Sequence, residues 1–192
     1  MKKGAWKEVG GHSGQAVFEA FVGVGSNVDP ERNILSALAA IRVRLQVDAA
    51  SRFYRNPAFP PRPRPEPPFI NGVLRVRTNQ PPWELKYGVL RNIEKTVYRK
   101  RTCDQYAPRT LDLDLLIYGG LEIESEELTL PDPEIAVRVF WAVPLAELLP
   151  EFRPPNSRVS MKDLVSTLDT GSMVYLEGFT RRVRRILGLS KG

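Results

Sequence analysis

The sequence predicts an α+β fold: a ferredoxin-like antiparallel sheet with helices packed on one face and additional C-terminal elements. Two observations predict it. Strand and helix signals follow the order strand, helix, strand, strand, helix, strand between residues 17 and 118. Both helical stretches carry a single apolar stripe, so both can pack on one face of a sheet and leave the other face free to build a site.

Residues 17–24 are apolar and β-prone and predict the first strand, which Gly25, Ser26 and Asn27 interrupt. Asp29 is a suitable N-cap and Pro30 a suitable first helical residue. Ile34, Leu38, Ile41 and Leu45 then recur at helical spacing. A second strand is expected over 49–55. Pro57, Pro60, Pro61, Pro63, Pro65, Pro67 and Pro68 follow. Proline donates no amide hydrogen and fixes φ, so 57–68 is a long loop, read as a lid over a site or as a stiff surface linker. A third strand is expected over 69–78 and a second helix through Leu85, Val89, Leu90, Ile93 and Val97. A basic loop over 99–110 leads to a fourth strand over 111–118, closed by Gly119 and Gly120. Beyond it come a β-prone piece at 126–130, a helical or irregular segment to Leu149, a weak helix at 161–168 and a strand at 173–176.

A chain of 192 residues accommodates one domain. The expected division is a flexible N-terminal extension (1–16), a single catalytic domain (17–180) and a basic, solvated tail (181–192) built around Arg181, Arg182, Arg184 and Arg185. No apolar run is long enough to span a membrane, and no apolar segment follows Lys2 and Lys3 as in a signal peptide. Cys103 is the sole cysteine, so no intrachain disulfide forms; a cytoplasmic monomer is the expectation. His12, the sole histidine, lies in the extension, so imidazole chemistry and zinc-type sites have little support. The net charge of +6 is uneven, with basic residues far outnumbering acidic ones between Arg52 and Arg109, which suggests a polyphosphate or nucleic-acid partner.

The informative stretch is Arg109-Thr110-Leu111-Asp112-Leu113-Asp114-Leu115-Leu116-Ile117. Side chains alternate along a strand, so Leu111, Leu113, Leu115 and Ile117 are expected on one face and Asp112 and Asp114 together on the other. Two carboxylates on one face repel unless a cation lies between them, and magnesium takes a few carboxylate oxygens while keeping positions for water and phosphate. Solvated aspartates on an exposed face are the plainer alternative, although aspartate is poorly suited to strands. Arg99, Arg101 and Arg109 lie just upstream. Guanidinium groups grip phosphate oxygens, and arginines beside a two-carboxylate metal site are what phosphoryl or pyrophosphoryl transfer uses. The P-loop motif, the dinucleotide fingerprint and the protein-kinase motifs are absent.

With these pieces the sequence resembles the 6-hydroxymethyl-7,8-dihydropterin pyrophosphokinases. The resemblance runs from about Phe21 to Pro150 through Val24-Gly25-Ser26-Asn27, Phe53-Tyr54-Arg55-Asn56-Pro57, Phe69-Ile70-Asn71, Ile93-Glu94, Arg99-Lys100-Arg101 and Pro108 to Asp114. Leu130-Pro131-Asp132-Pro133, Arg138, Phe140 and Pro144-Leu145 complete it. It implies transfer of diphosphate from ATP to 6-hydroxymethyl-7,8-dihydropterin, giving AMP and the pterin diphosphate, in folate biosynthesis. It implies two magnesium ions on Asp112 and Asp114 and catalytic roles for Arg99, Arg109, Asp112 and Asp114. It further implies an ATP site of Glu94, Arg99, Arg101, Arg109, Thr129, Asp132 and Arg138, and a pterin site of Asn56, Pro57, Phe69, Asn71, Tyr106 and Phe140. Plainer readings make Phe69 and Phe140 core residues, Asn71 a turn cap, Glu94 a helix-face partner of a lysine, and Tyr54 and Arg55 structural. Asp132 stands where the family usually has histidine, and Gln105 and Ala107 depart from its basic, glycine-bearing loop. A non-catalytic or altered-activity paralogue binding ATP or pterin is therefore the alternative. An RNA-binding ferredoxin-like module is a further one, for which no RNP1-like segment is found, so neither nucleic acid nor membrane is expected as a partner.

Overall fold

The computed structural model describes residues 9–10, 16–59, 66–96, 110–155 and 157–189. The long strand β2 (Ala16–Ser26), after a two-residue β1 (Val9–Gly10), leads into helix α1 (Pro30–Arg44). Asp29 occupies the N-cap with a left-handed φ of 40° and makes no side-chain cap bond, contrary to the expectation for it. The expected second strand divides into β3 (Gln46–Ala50) and β4 (Tyr54–Asn56). At the break Ser51 Oγ accepts the Val73 amide at 2.9 Å, so a side chain takes a bond that a ladder would otherwise use. β5 (Phe69–Thr78) matches its expected limits. A π-helical turn (Glu84–Leu90) runs into α2 (Arg91–Thr96), burying Leu85, Leu90 and Ile93. β6 is Asp112–Tyr118, α3 is Val139–Leu148, α4 is Met161–Val165, β7 is Val174–Tyr175 and α5 is Glu177–Leu187.

The described strands form one seven-stranded sheet in which every pairing is antiparallel. β2 lies between β5 and β6, and β5 also pairs with β3 and β4. The β6-β2-β5-β3 order follows the expected ferredoxin-like α+β pattern. On one face α1, α2 and α5 cover an apolar cluster that includes Val22, Val24, Leu38, Leu74, Ile93, Leu113 and Val183. The other face is not free along its length. Phe21, Val73, Leu116, Ile117, Trp141, Leu145 and Met161 form a second cluster there, beneath α3 and α4.

Ile117 therefore faces away from Leu113 and Leu115, against expectation. The β2–β6 register shifts between Phe21 and Val22, with Val22 opposite Leu115 and Phe21 opposite Ile117. The extra residue of this bulge, Leu116, reverses the alternation beyond it. Asp112 and Asp114 lie before the bulge and keep their shared face. The expected strand at 126–130 is reduced to a single bridge, Ile123 to Leu130.

Arg181, Arg182, Arg184 and Arg185 do not lie in a solvated tail. They sit within α5, which buries Phe179, Thr180, Val183 and Leu187. Thr180 Oγ1 accepts the Phe53 amide at 2.9 Å, and Arg42 Nη1 of α1 donates to the Ile186 carbonyl at 3.0 Å. Phe179→Ala is expected to cost about 3 kcal/mol, as for a buried aromatic; chemical denaturation reads it, and a loss below about 0.5 kcal/mol would show α5 to be dispensable. Among the described residues no helix is long and apolar enough to cross a membrane.

Candidate active site

The site lies where β5, β2 and β6 run side by side on the face that carries the second cluster. Asn71, Gly25 and Asp112 form one cross-strand row, and Val73, Gly23 and Asp114 the next. Both aspartates are half-buried. The two glycines supply no side chains, so they form a trough between the β5 and β6 side chains. A Cβ at Gly25 would lie 2.5 Å from Asn71 Oδ1 and 3.9 Å from the Asp112 Cβ. A Cβ at Gly23 would lie 2.7 Å from the Trp141 ring, which covers that end of the trough. Two strand glycines on one face mark a close approach. That spacing was legible in the sequence, whereas Trp141 becomes visible only when α3 packs.

Asn71 is buried and its Nδ2 donates to Asn56 Oδ1 at 2.7 Å. Asn56 Nδ2 donates in turn to the Pro57 carbonyl at 2.8 Å, so the amide pair fixes the first step of the proline-rich loop. Asn71 is thus a strand residue in a buried network and not a turn cap. Phe69 pairs with Asn56 in register, is half-buried and belongs to neither apolar cluster. Phe140 is half-buried at the start of α3, with its ring 5.1 Å from Trp141 and 6.3 Å from the exposed Phe59. α3 is held to the sheet by Glu147, which accepts the Tyr54 hydroxyl and the Arg52 amide, the latter at 2.8 Å. Burial first, and then Glu147, push Tyr54 up to about 12. Tyr54 is structural, as expected.

Glu94 is 3% exposed, and its Oε1 accepts the Leu113 amide at 2.9 Å. It is not a surface partner of a helix lysine. Ser26 Oγ donates to the Thr110 carbonyl at 2.7 Å and ties down the approach to β6. Thr129 is exposed. Asp132 caps a short 3-10 turn (Pro133–Ala136), its Oδ1 accepting the Glu134 amide at 2.8 Å. Burial raises the Asp132 carboxyl above its ordinary range, while the Glu134 amide and the charges of Arg138 and Lys86 oppose that shift. Arg138 Nη2 meets Glu134 Oε1 at 2.5 Å, and its guanidinium lies 5.6 Å from the Phe140 ring centroid. Among the described residues the buried Arg138 Nε has no hydrogen-bond partner. It therefore offers a donor to an anion. Arg99, Arg101, Tyr106 and Arg109, with Gln105 and Ala107, lie outside the described residues.

Among the described residues no group of three or more carboxylate, imidazole or thiolate side chains comes together. Two half-buried carboxylates beside a glycine-floored trough fit a hard cation that completes its shell with water and phosphate oxygens, as magnesium does.

The family model described as 7,8-dihydro-6-hydroxymethylpterin-pyrophosphokinase (HPPK) matches residues 21–150. The chain belongs to this family. The 2-amino-4-hydroxy-6-hydroxymethyldihydropteridine pyrophosphokinase of Synechocystis is 38% identical over 153 residues, covering 78% of this chain and 76% of the relative. Its Haemophilus influenzae counterpart is 32% identical over 160 residues, covering 82% of this chain and 97% of that one. The wild-type Plasmodium falciparum HPPK-DHPS crystal structure with pteroate superposes with a TM-score of 0.64 at 12% identity. That likeness shows the fold; the chain spans 42% of that longer protein. The HPPK match ends at residue 150, so α4, β7 and α5 lie beyond it.

Proposed function

We propose that this chain transfers diphosphate from ATP to 6-hydroxymethyl-7,8-dihydropterin, releasing AMP, as a monomeric cytoplasmic enzyme of folate biosynthesis. The observation that carries the proposal is the trough: Asp112 and Asp114 on one side of Gly23 and Gly25, and the buried Asn71 amide on the other. An amide offers both a donor and an acceptor to the edge of a heterocycle. Phe69 and Phe140, both half-buried, supply faces for a flat ring.

In this reading the pterin sits over Asn71 between Phe69 and Phe140, with Asn56 and Pro57 holding the loop against it. The ATP phosphates run along Asp112 and Asp114 toward Arg138, with Arg99, Arg101 and Arg109 closing around them. Two magnesium ions, when bound to Asp112 and Asp114, supply neutralisation of phosphate charge. The pterin hydroxyl oxygen bonds to the β-phosphorus, the bond from that phosphorus to the α-phosphate oxygen breaks, and AMP leaves as the hydroxyl proton is lost. The proline-rich loop over 57–68 and the loop over 99–110 exclude water from the reacting phosphorus. Nucleic acid has no part in this reading, and α3 lies over the sheet face on which RNA-binding modules display their aromatics.

The test is AMP formation by the purified chain given ATP, magnesium and the dihydropterin, each omitted in turn. AMP only with all three supports the proposal. No AMP from folded protein, where a known family member works, would favour the non-catalytic paralogue that Asp132 suggests. Asp132 also yields a pH prediction. Its raised pKa means that the folded state holds the proton more tightly than the unfolded chain, so ionisation costs stability as pH rises through the folded pKa. Asp132→Asn keeps an oxygen for the Glu134 amide and removes that cost. The variant is expected to be more stable than the parent above the folded pKa, and to lose this advantage below the unfolded value. Melting curves at pH 3 and pH 8 decide it, and an advantage confined to the acid side would refute the assignment.

A further inference from the structure

We propose that Glu94 is a positioning residue for the carboxylate pair, rather than a nucleotide ligand. Its buried carboxylate takes the place of a neighbouring strand at the outer edge of β6 and holds Asp112 and Asp114 in register. This inference rests on the proposed pyrophosphokinase reading.

The argument starts from the edge. Among the described strands β6 pairs with β2 alone, so the amides on its other side need partners from elsewhere. Leu113 lies between the two aspartates, and its side chain is buried in the cluster beneath α2. Its amide donates to Glu94 Oε1 at 2.9 Å. Glu94 reaches that edge from α2, whose neighbouring Ile93 packs in the same cluster. A carboxylate at 3% exposure is costly to desolvate and is retained only where strong bonds repay it. A backbone amide bonded to a charged acceptor is such a bond.

Register is what this bond protects. A slip of one residue along β2 would turn Asp112 and Asp114 into the core and present Leu113 to the phosphates. β6 already contains a register shift next to Leu115, so its C-terminal half cannot dictate the alignment of its N-terminal half. Separate anchors are needed, and two bracket Asp112. Ser26 Oγ donates to the Thr110 carbonyl at 2.7 Å on one side, and Glu94 accepts the Leu113 amide on the other. Groups that orient metal-binding side chains typically matter 10–100-fold in metal affinity or activity.

Three variants of the full chain test this. Glu94→Gln keeps an acceptor oxygen at the same reach. Glu94→Asp keeps the charge but withdraws the oxygen by one methylene. Glu94→Ala removes the acceptor. The first readout needs no metal, nucleotide or turnover: hydrogen exchange of the Leu113 amide, followed by NMR in metal-free protein. Protection is expected to fall at least about tenfold in the Asp and Ala variants and to persist in the Gln variant. The second is manganese binding in the presence of a non-hydrolysable ATP analogue, followed by electron paramagnetic resonance. Its half-saturation is expected to rise about 10–100-fold in the Asp and Ala variants and to recover in the Gln variant. Analogue affinity at saturating metal is expected to stay at the parent value in all three. Weakened analogue binding at saturating metal, with Leu113 exchange and metal half-saturation unchanged, would make Glu94 a nucleotide ligand and overturn the proposal. If the Ala variant does not fold, the contrast between Asp and Gln still decides. Failure of the parent chain to form AMP, with the exchange and metal results as expected, would sink the pyrophosphokinase reading and leave the positioning role standing.

Discussion

Asp112→Ala and Asp114→Ala are each expected to lower kcat by at least about a thousandfold, roughly 4 kcal/mol of transition-state stabilisation, with the fold intact. The two residues occupy alternate positions of β6 on one face, about 6.6 Å apart by strand rise. Their mutual repulsion in metal-free protein is at most roughly 2–3 kcal/mol at an effective dielectric constant of ~20, and less where solvent reaches them. Removing one charge removes that repulsion while it dismantles the proposed cation site. The expected signature is a separation of activity from stability: turnover collapses, and the melting temperature without magnesium changes little. A parent chain stabilised by magnesium with nucleotide, beside variants that are not, would place the cation at these carboxylates. Near-normal turnover in either variant would remove the metal site from the mechanism. A large drop in melting temperature would show instead that the aspartates hold the fold together.

The parts of this site that local pattern could reach were legible in the sequence. Period-two alternation through Leu111, Leu113 and Leu115 put Asp112 and Asp114 on one face, and the structure keeps them there. The same rule failed at Ile117, because the bulge at Leu116 carries no glycine or proline to announce it. Phe140, Trp141, Ala142, Val143 and Leu145 are apolar around the whole of α3, so periodicity could not show that this helix would cover the second face. At the C-terminus Phe179, Val183 and Leu187 recur at i, i+4 and i+8, a stripe that predicts α5. Arg181, Arg182, Arg184 and Arg185 lie between them, so the same stretch also has the composition of a solvated basic segment. The resemblance singled out Glu94, but its bond to Leu113 was beyond sequence reasoning: the amide is 19 residues away, and only packing brings the two together.

Asn71→Asp is expected to raise the KM for the pterin about a hundredfold, close to 3 kcal/mol, and to make the defect depend on pH. The Asn71 amide is buried, and its Nδ2 donates to Asn56 Oδ1 at 2.7 Å. An ionised carboxyl there would face Asn56 Oδ1 with no hydrogen to offer, leaving two acceptors opposed in a buried place. It would also lie across Gly25 from Asp112, in the same cross-strand row. Burial and the like charge of Asp112 both push the introduced carboxyl upward in pKa. Below that pKa it is neutral and can donate to Asn56 as the amide does, so the defect should lessen as pH falls and be complete at alkaline pH. Gly25→Ala provides the uncharged comparison. Its methyl would lie 2.5 Å from Asn71 Oδ1, and it displaces the amide by contact alone. It should raise the pterin KM by a similar factor at every pH. KM profiles for the two variants between pH 5 and pH 9 separate the causes. A flat profile for Asn71→Asp would show that its effect is steric. An unchanged KM in Gly25→Ala would show that the trough floor does not hold the pterin, and the substrate would then have to be placed elsewhere on the sheet.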